Sequence, residues 1–158
     1  MRTNDADKIL IVSLCNDFSK QVANILSQSL GMMFCDIDDL VAYELIDQDK
    51  MKELTSREYL AERERKVMKH FASFENVVGT TNYQYYVSNC TILSQKTLVV
   101  FVKLPKSYIK EVGDEVDVLA FDDRTEKMEA VSDFVVAVKK VDEKFVCEKI
   151  IEVLRKTL

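Results

Sequence analysis

Glycine is scarce in this sequence: three residues, Gly31, Gly79 and Gly113, are scattered over 158 positions. Average usage is about 7%. No glycine-rich phosphate loop, dinucleotide fingerprint or nucleophile elbow can be written with glycines so far apart. A single histidine, His70, excludes a multi-histidine metal site. Tryptophan is absent and Pro105 is the one proline. An excess of positive charge is also missing: 22 Lys and Arg face 27 Asp and Glu, the net charge is −5 and the pI is about 5.0. No window is rich in Lys and Arg without interleaved acids, which argues against nucleic acid and anionic membranes as partners. The longest apolar runs, residues 9–12 and 98–102, fall far short of the roughly 20 residues that span a bilayer. The opening stretch Met1, Arg2, Thr3, Asn4, Asp5 has no apolar signal-peptide segment. These features predict a soluble cytoplasmic protein. Cys15, Cys35, Cys90 and Cys147 lie far apart with no Cys-x-x-Cys pair, which predicts buried reduced thiols rather than disulfides or a zinc site.

What is present is an ordinary globular composition, 47% hydrophobic and 31% charged, enough for a single domain over residues 1–158. A strand pattern followed by a helix pattern recurs along it. Residues 8–14 form a short apolar run. From Asp17 to Leu30 the apolar positions Phe18, Val22, Ile25, Leu26 and Leu30 keep helical spacing until Gly31 supplies a stop. Residues 32–35 read as a second strand, and Asp36, Asp38 and Asp39 offer N-cap carboxylates to a helix running to about Ile46. Thr55 and Glu58 make a capping box for a long helix to about Phe71.

Residues 76–80 and 97–102 are further strands, separated by a helical segment at 84–94. Pro105 suits the start of a short helix ending near Gly113, residues 113–123 read as a short acidic segment, and 133–138 form a last strand. Asp142 caps a terminal amphipathic helix. Continuous apolar strands alternating with amphipathic helices predict a parallel sheet covered on both faces, a three-layer α/β/α domain. In such sheets ligands bind beyond the carboxyl ends of the strands, which points to residues 13–20, 36–38 and 80–82.

Those three loops carry a family resemblance. The run Lys8, Ile9, Leu10, Ile11, Val12, a loop, a helix ending Leu30, Gly31, Met32, Met33, Phe34, then Asp36, Ile37, Asp38, resembles the opening of the shikimate kinases. Residues 62–67, 76–78, 97–102 and 130–133 follow in the family's order. The resemblance implies a P-loop-kinase-like fold with a central five-stranded parallel sheet; between Pro105 and Asp133, where the family carries an arginine-bearing lid, this sequence departs from it with a shortened lid region. It also implies transfer of the ATP γ-phosphoryl group to the 3-hydroxyl of shikimate with Mg²⁺. Asp36 and Asp38 match the family's Asp-x-Asp, the first associated with Mg²⁺ through water and the second with shikimate hydroxyls and deprotonation. Helix capping is the alternative role for both. Arg124 matches a carboxylate-binding arginine, with a surface ion pair to Asp122 or Asp123 as its other reading.

The family's phosphate loop, G-x-x-x-x-G-K-[S/T], is degenerate here. Ser13, Asn16 and Phe18 stand at its glycine positions, Ser19 replaces the phosphate lysine and Lys20 the Mg²⁺ hydroxyl. Such a loop wraps phosphate with successive backbone N–H groups, a geometry that glycine adopts at low cost. Phe18 is expected to place a ring near the pyrophosphate position. Asp17 is expected to cap the following helix and set like charge beside an incoming phosphate. The shikimate-gripping arginine aligns with Ala61, and a glycine triplet with Asn82, Tyr83 and Gln84. Tyr83, Tyr85 and Tyr86 form an aromatic cluster suited to a pocket or an interface. The expectation is a shikimate-kinase-like protein without ATP binding or phosphoryl transfer, holding an unidentified small molecule or protein. The alternatives are an active kinase using ATP and Mg²⁺ through a variant loop, and a structural homodimer.

Overall fold

The computed structural model describes residues 7–46 and 57–156. Five strands, β1 (Lys8–Ser13), β2 (Met33–Asp36), β3 (Val77–Thr80), β4 (Leu98–Lys103) and β5 (Phe134–Ala137), form one parallel sheet in the order β2-β3-β1-β4-β5. Seven helices cover it: α1 (Asn16–Leu30), α2 (Ile37–Ile46), α3 (Arg57–Ala72), α4 (Tyr83–Leu93), α5 (Lys106–Val112), α6 (Glu115–Val131) and α7 (Glu143–Lys156). This is the three-layer α/β/α architecture expected from the alternation of apolar strands and amphipathic helices.

The strand period of two divides the core. Ile9 and Ile11 of β1 face one layer with Val100 and Val102 of β4, and there Phe18, Val22 and Leu26 of α1 pack with Val146 and Ile150 of α7. Leu10 and Val12 face the other with Val99 and Phe101, against Ile37 and Val41 of α2, Met68 and Phe71 of α3, and Tyr86 of α4. Both faces of β1 and β4 are therefore buried, which is why those two strands read as unbroken apolar runs. α6 serves both layers, sending Phe121 to the first and Met128 to the second.

Local signals set most boundaries. Gly31 ends α1 in the left-handed region, φ 66°, its N–H donating to the Gln28 carbonyl while the Met32 N–H donates to the Ser27 carbonyl. Asp142 caps α7 by accepting the Phe145 N–H at 2.9 Å. The Thr55 and Glu58 capping box lies partly outside the described residues. The acidic segment after Gly113 differs from expectation: it begins a 17-residue helix, α6. Asp114 and Asp117 form a reciprocal capping box there. Its three buried positions, Phe121, Thr125 and Met128, are too sparse among the charges to produce a helical stripe in the sequence.

Candidate functional site

The three loops singled out from the sequence meet at the carboxyl ends of β1, β2 and β3, and Asp38 joins them. Its Oδ2 accepts the Asn16 side-chain amide at 2.9 Å and the Asn82 side-chain amide at 3.2 Å. Its Oδ1 accepts the Thr81 hydroxyl at 2.8 Å and the Asn82 backbone N–H at 3.2 Å. One carboxylate, on the first turn of α2, thus ties the start of α1 to the start of α4. Asp36, buried at the end of β2, accepts the Asp38 N–H at 3.0 Å and so caps α2. Its other oxygen lies 2.9 Å from the Lys20 ammonium. The hydrogen bond to Asp36, reinforced by the charges of Asp36 and Asp39, holds that ammonium above the usual lysine range.

Between β1 and α1 only Leu14 and Cys15 intervene. The Ser13 hydroxyl closes this turn, donating to the Cys15 carbonyl at 2.7 Å and accepting the Cys15 N–H at 3.2 Å. Asn16 to Lys20 are already helical, with Ser19 N–H bonded to the Cys15 carbonyl. Among the described residues the only positive φ values belong to Gly31, Asn76 and Lys96, so the turn contains no left-handed residue.

Two expectations about this stretch are corrected. Asp17 does not cap α1. The N-cap is Cys15, which makes no side-chain cap bond, and Asp17 is an exposed residue one position further into the first turn than Asn16. Nor does the Phe18 ring stand open beside the turn. It is buried in the core edge-on to Tyr108, centroids 6.1 Å apart, because the stripe Phe18, Val22, Leu26 puts it on the inner face of α1. Ser19 is likewise buried, its hydroxyl donating to the Asn16 carbonyl at 3.1 Å.

Arg124 pairs with Asp117 rather than with Asp36 or Asp38. Its guanidinium bonds Asp117 Oδ1 at 3.0 Å and lies 5.4 Å from the Tyr83 ring centroid. The ion pair anticipated with Asp122 or Asp123 is not formed, since those carboxylates meet Lys106 and Lys127 instead. The Asp114 backbone N–H, and then Arg124, hold the Asp117 carboxyl below its ordinary value. Tyr86 is wholly buried with its hydroxyl on the Val131 carbonyl at 2.9 Å.

Two cavities bear on ligand binding. One of about 190 Å³, between the β1–α1 turn and α5–α6, is lined by Cys15, Asn16, Asp17, Ile109, Val112 and Asp117 among others. It is smaller than most small-molecule sites, which run from about 300 to 1,000 Å³, and it presents two carboxylates. The other, about 550 Å³, lies between α2 and α3 with Leu40, Tyr43, Lys66, Lys69 and His70 in its wall, and shares no residue with the Asp38 cluster.

No protein-family model and no curated protein sequence matches this chain. Its architecture does have solved counterparts. The chain superposes on the shikimate kinase of Aquifex aeolicus with a TM-score of 0.74 and 20% identity, covering 94% of this chain and 96% of that one. The fold is that of the shikimate kinases. The shikimate kinase of Acinetobacter baumannii, solved with shikimate, gives 0.70 at 17% identity over 96% and 95%. A Campylobacter jejuni dephospho-CoA kinase gives 0.57 at 12% over the full length of both. At these identities the likeness is one of fold.

Within the shikimate-kinase fold, the structure brings together Asn16, Lys20, Asp36 and Asp38 from the sequence-derived set, and keeps Asp17, Phe18, Ser19 and Arg124 out of that cluster. Sequence reasoning missed Thr81 and Asn82 as partners of Asp38. Their signal was present, since two threonines and an asparagine at a strand-to-helix junction are typical N-terminal capping residues, and Asn82 caps α4 by accepting the Tyr85 N–H at 2.8 Å. Among the described residues no helix is long and apolar enough to cross a membrane.

Proposed function

We propose that this protein is a shikimate-kinase-fold binding module that does not transfer phosphoryl groups. The observation that carries the reading is the early start of α1. A phosphate cradle needs several backbone N–H groups turned toward one centre before the helix begins, and the two-residue turn with no left-handed residue offers no such run. The carboxylates of Asp17 and Asp117 beside the turn oppose a polyphosphate, and the 190 Å³ cavity is small for a nucleotide.

The residues present also fit Mg²⁺ poorly. Asp36 already faces the Lys20 ammonium, and both oxygens of Asp38 are occupied by four donors. Among the described residues no group of three or more His, Cys, Asp or Glu side chains is placed to hold a metal ion. In this reading Asp36 and Asp38 order three loops, and the ligand is an unidentified small molecule or a protein.

Isothermal titration with Mg·ATP tests the reading. No heat above dilution is expected at millimolar nucleotide, and saturable binding in the micromolar range would reject it. A second reading, a working small-molecule kinase, is favoured by one arrangement: Lys20, Asp36 and Asp38 do gather at the carboxyl end of the sheet, where this fold places ligands. It requires shikimate-dependent ATP hydrolysis that disappears in Asp38→Asn.

A further inference from the structure

We propose that the cavity between α2 and α3 binds a small organic carboxylate with an apolar ring, its charge held by Lys66 and Lys69 and its ring seated on Leu40 and Val67 beside Tyr43. The cavity measures about 550 Å³, within the range of roughly 300 to 1,000 Å³ usual for small-molecule sites. It shares no residue with the Asp38 cluster, so it stands or falls independently of whether the chain binds nucleotide. Its floor extends the core: Val67 is buried in the second layer, and Leu40 packs half-buried against that layer. Tyr43, one turn further along α2, is 77% exposed and among the described residues makes no ring contact and no hydrogen bond. An aromatic ring left open beside a cavity is surface that a planar ligand can cover.

The rim is cationic. Residues 65–73 contain Arg65, Lys66, Lys69 and His70 and no acid, in a chain whose net charge is −5. Lys66 and Lys69 both line the cavity. Neither forms an ion pair among the described residues, and Glu62, one turn before Lys66, does not reach it. Among those residues the one acid in the wall, Glu44, is already engaged by Arg63 at 3.6 Å. His70 stands in the same wall, its ring braced edge-on by Phe74 with centroids 5.0 Å apart. Two ammonium groups thus border a concave, partly apolar space without a counter-charge, an arrangement that concentrates anions.

The backbone selects the kind of anion. The wall residues of α2 lie past its first turn and those of α3 lie in or just beyond its last two turns, so no unpaired helix amide serves the cavity. The Ser73 N–H is spent on the His70 carbonyl at 3.1 Å. The end of α3 contributes carbonyls instead, whose partial negative charge opposes a dense polyanion. Side-chain ammonium groups alone must hold the ligand's charge, which suits a single carboxylate and disfavours a polyphosphate. The apolar floor and the open Tyr43 ring call for a body that is itself apolar.

Titration of the isotope-labelled full chain with phenylpropionate, followed by amide NMR shifts, tests this. Saturable binding is expected with a Kd of about 1 mM, the affinity a ligand of this size reaches in an open site, and with shifts centred on residues 40–44 and 66–73. Acetate lacks the ring, phenylpropanol lacks the charge and shikimate has a hydroxylated ring; each should bind at least about tenfold more weakly. The double variant Lys66→Gln with Lys69→Gln should weaken phenylpropionate about tenfold and Tyr43→Ala about threefold, and raising salt should weaken the wild type. Lys144→Gln, on α7, should bind like wild type, and circular dichroism checks each fold. No saturation by about 20 mM overturns the proposal, as do shifts centred on residues 13–20 and 36–38. So does phenylpropanol or shikimate binding as tightly as phenylpropionate, a folded double variant that keeps its affinity, or an equal loss in Lys144→Gln. Should the double variant fail to fold, salt dependence and the phenylpropanol comparison on the wild type decide the role of charge.

Discussion

Asn82 grips Asp38 twice, with its backbone N–H on Oδ1 and its side-chain amide on Oδ2, both at 3.2 Å, while its own Oδ1 caps α4. The start of α4 is thereby fixed to the first turn of α2. With Asn16 and Thr81 on the same carboxylate, the carboxyl end of β1, β2 and β3 is held by one side chain. Removing it leaves four donors without their acceptor. Asp38→Ala should lower stability by about 2–4 kcal/mol in urea unfolding, and hydrogen exchange should rise at the Thr81 and Asn82 amides. A loss under about 0.5 kcal/mol, typical of a neutral surface change, would contradict the structural role.

Tyr86 couples stability to alkaline pH. Burial pushes its phenol up to about 12, against about 10 in an unfolded chain. The folded state therefore retains the proton more tightly, so the contribution is complete below pH 10 and is lost as pH rises from 10 toward 12. Tyr86→Phe should cost about 1–2 kcal/mol at neutral pH, because the Val131 carbonyl loses its donor. It should also flatten the fall in stability between pH 10 and 12, measured by urea titrations at each pH.

Gly79 lies in β3 where a methyl group has no space. A Cβ there would stand 2.5 Å from Phe71 Cζ and 2.7 Å from Cε2. Phe71 is itself fully buried among Met68, Val77 and Leu10 and cannot swing into solvent. Gly79→Ala should destabilise by roughly 1–3 kcal/mol through overpacking, seen as a lower Tm. The double variant Gly79→Ala with Phe71→Leu should recover part of that loss.

The thiols should divide by burial. Burial, then the charge of Asp36, pushes Cys35 up to about 11, and burial likewise pushes Cys147 up to about 11. Because the thiolate is the reactive form, both should react slowly with a disulfide reagent at pH 8 in the native protein. In denaturant all four cysteines should label rapidly. Fast native labelling of Cys147, whose thiol donates to the Val22 carbonyl at 3.3 Å, would mean that the α1–α7 packing opens readily.

Much of the architecture was written locally. The run Ile9 to Val12, the stripe from Phe18 to Leu30, the stop at Gly31 and the cap at Asp142 each need only neighbouring residues to act, and each took its expected form. α6 escaped because its buried residues are few and its cap is built from acids that read as a charge run. At the site, the sequence could place three loops at one end of a parallel sheet but could not say which side chain would point where. Phe18 was free, as far as the sequence goes, to face a phosphate. The packing of α1 against the sheet turned it inward.

Composition and hydrophobic period alone determined that this chain is an α/β domain with a parallel sheet, and with three scattered glycines the sequence contains no G-x-x-x-x-G-K-[S/T] pattern. Both are properties of residue type and of spacing along the chain. The cluster of Asn16, Lys20, Asp36, Asp38, Thr81 and Asn82 was decided only by tertiary structure. A carboxylate with four donors drawn from segments up to 44 residues away exists only after strand order has brought β1, β2 and β3 side by side. The place of β5 at the end of the sheet is of the same kind, because strand order is a matter of topology that no stretch of sequence states by itself.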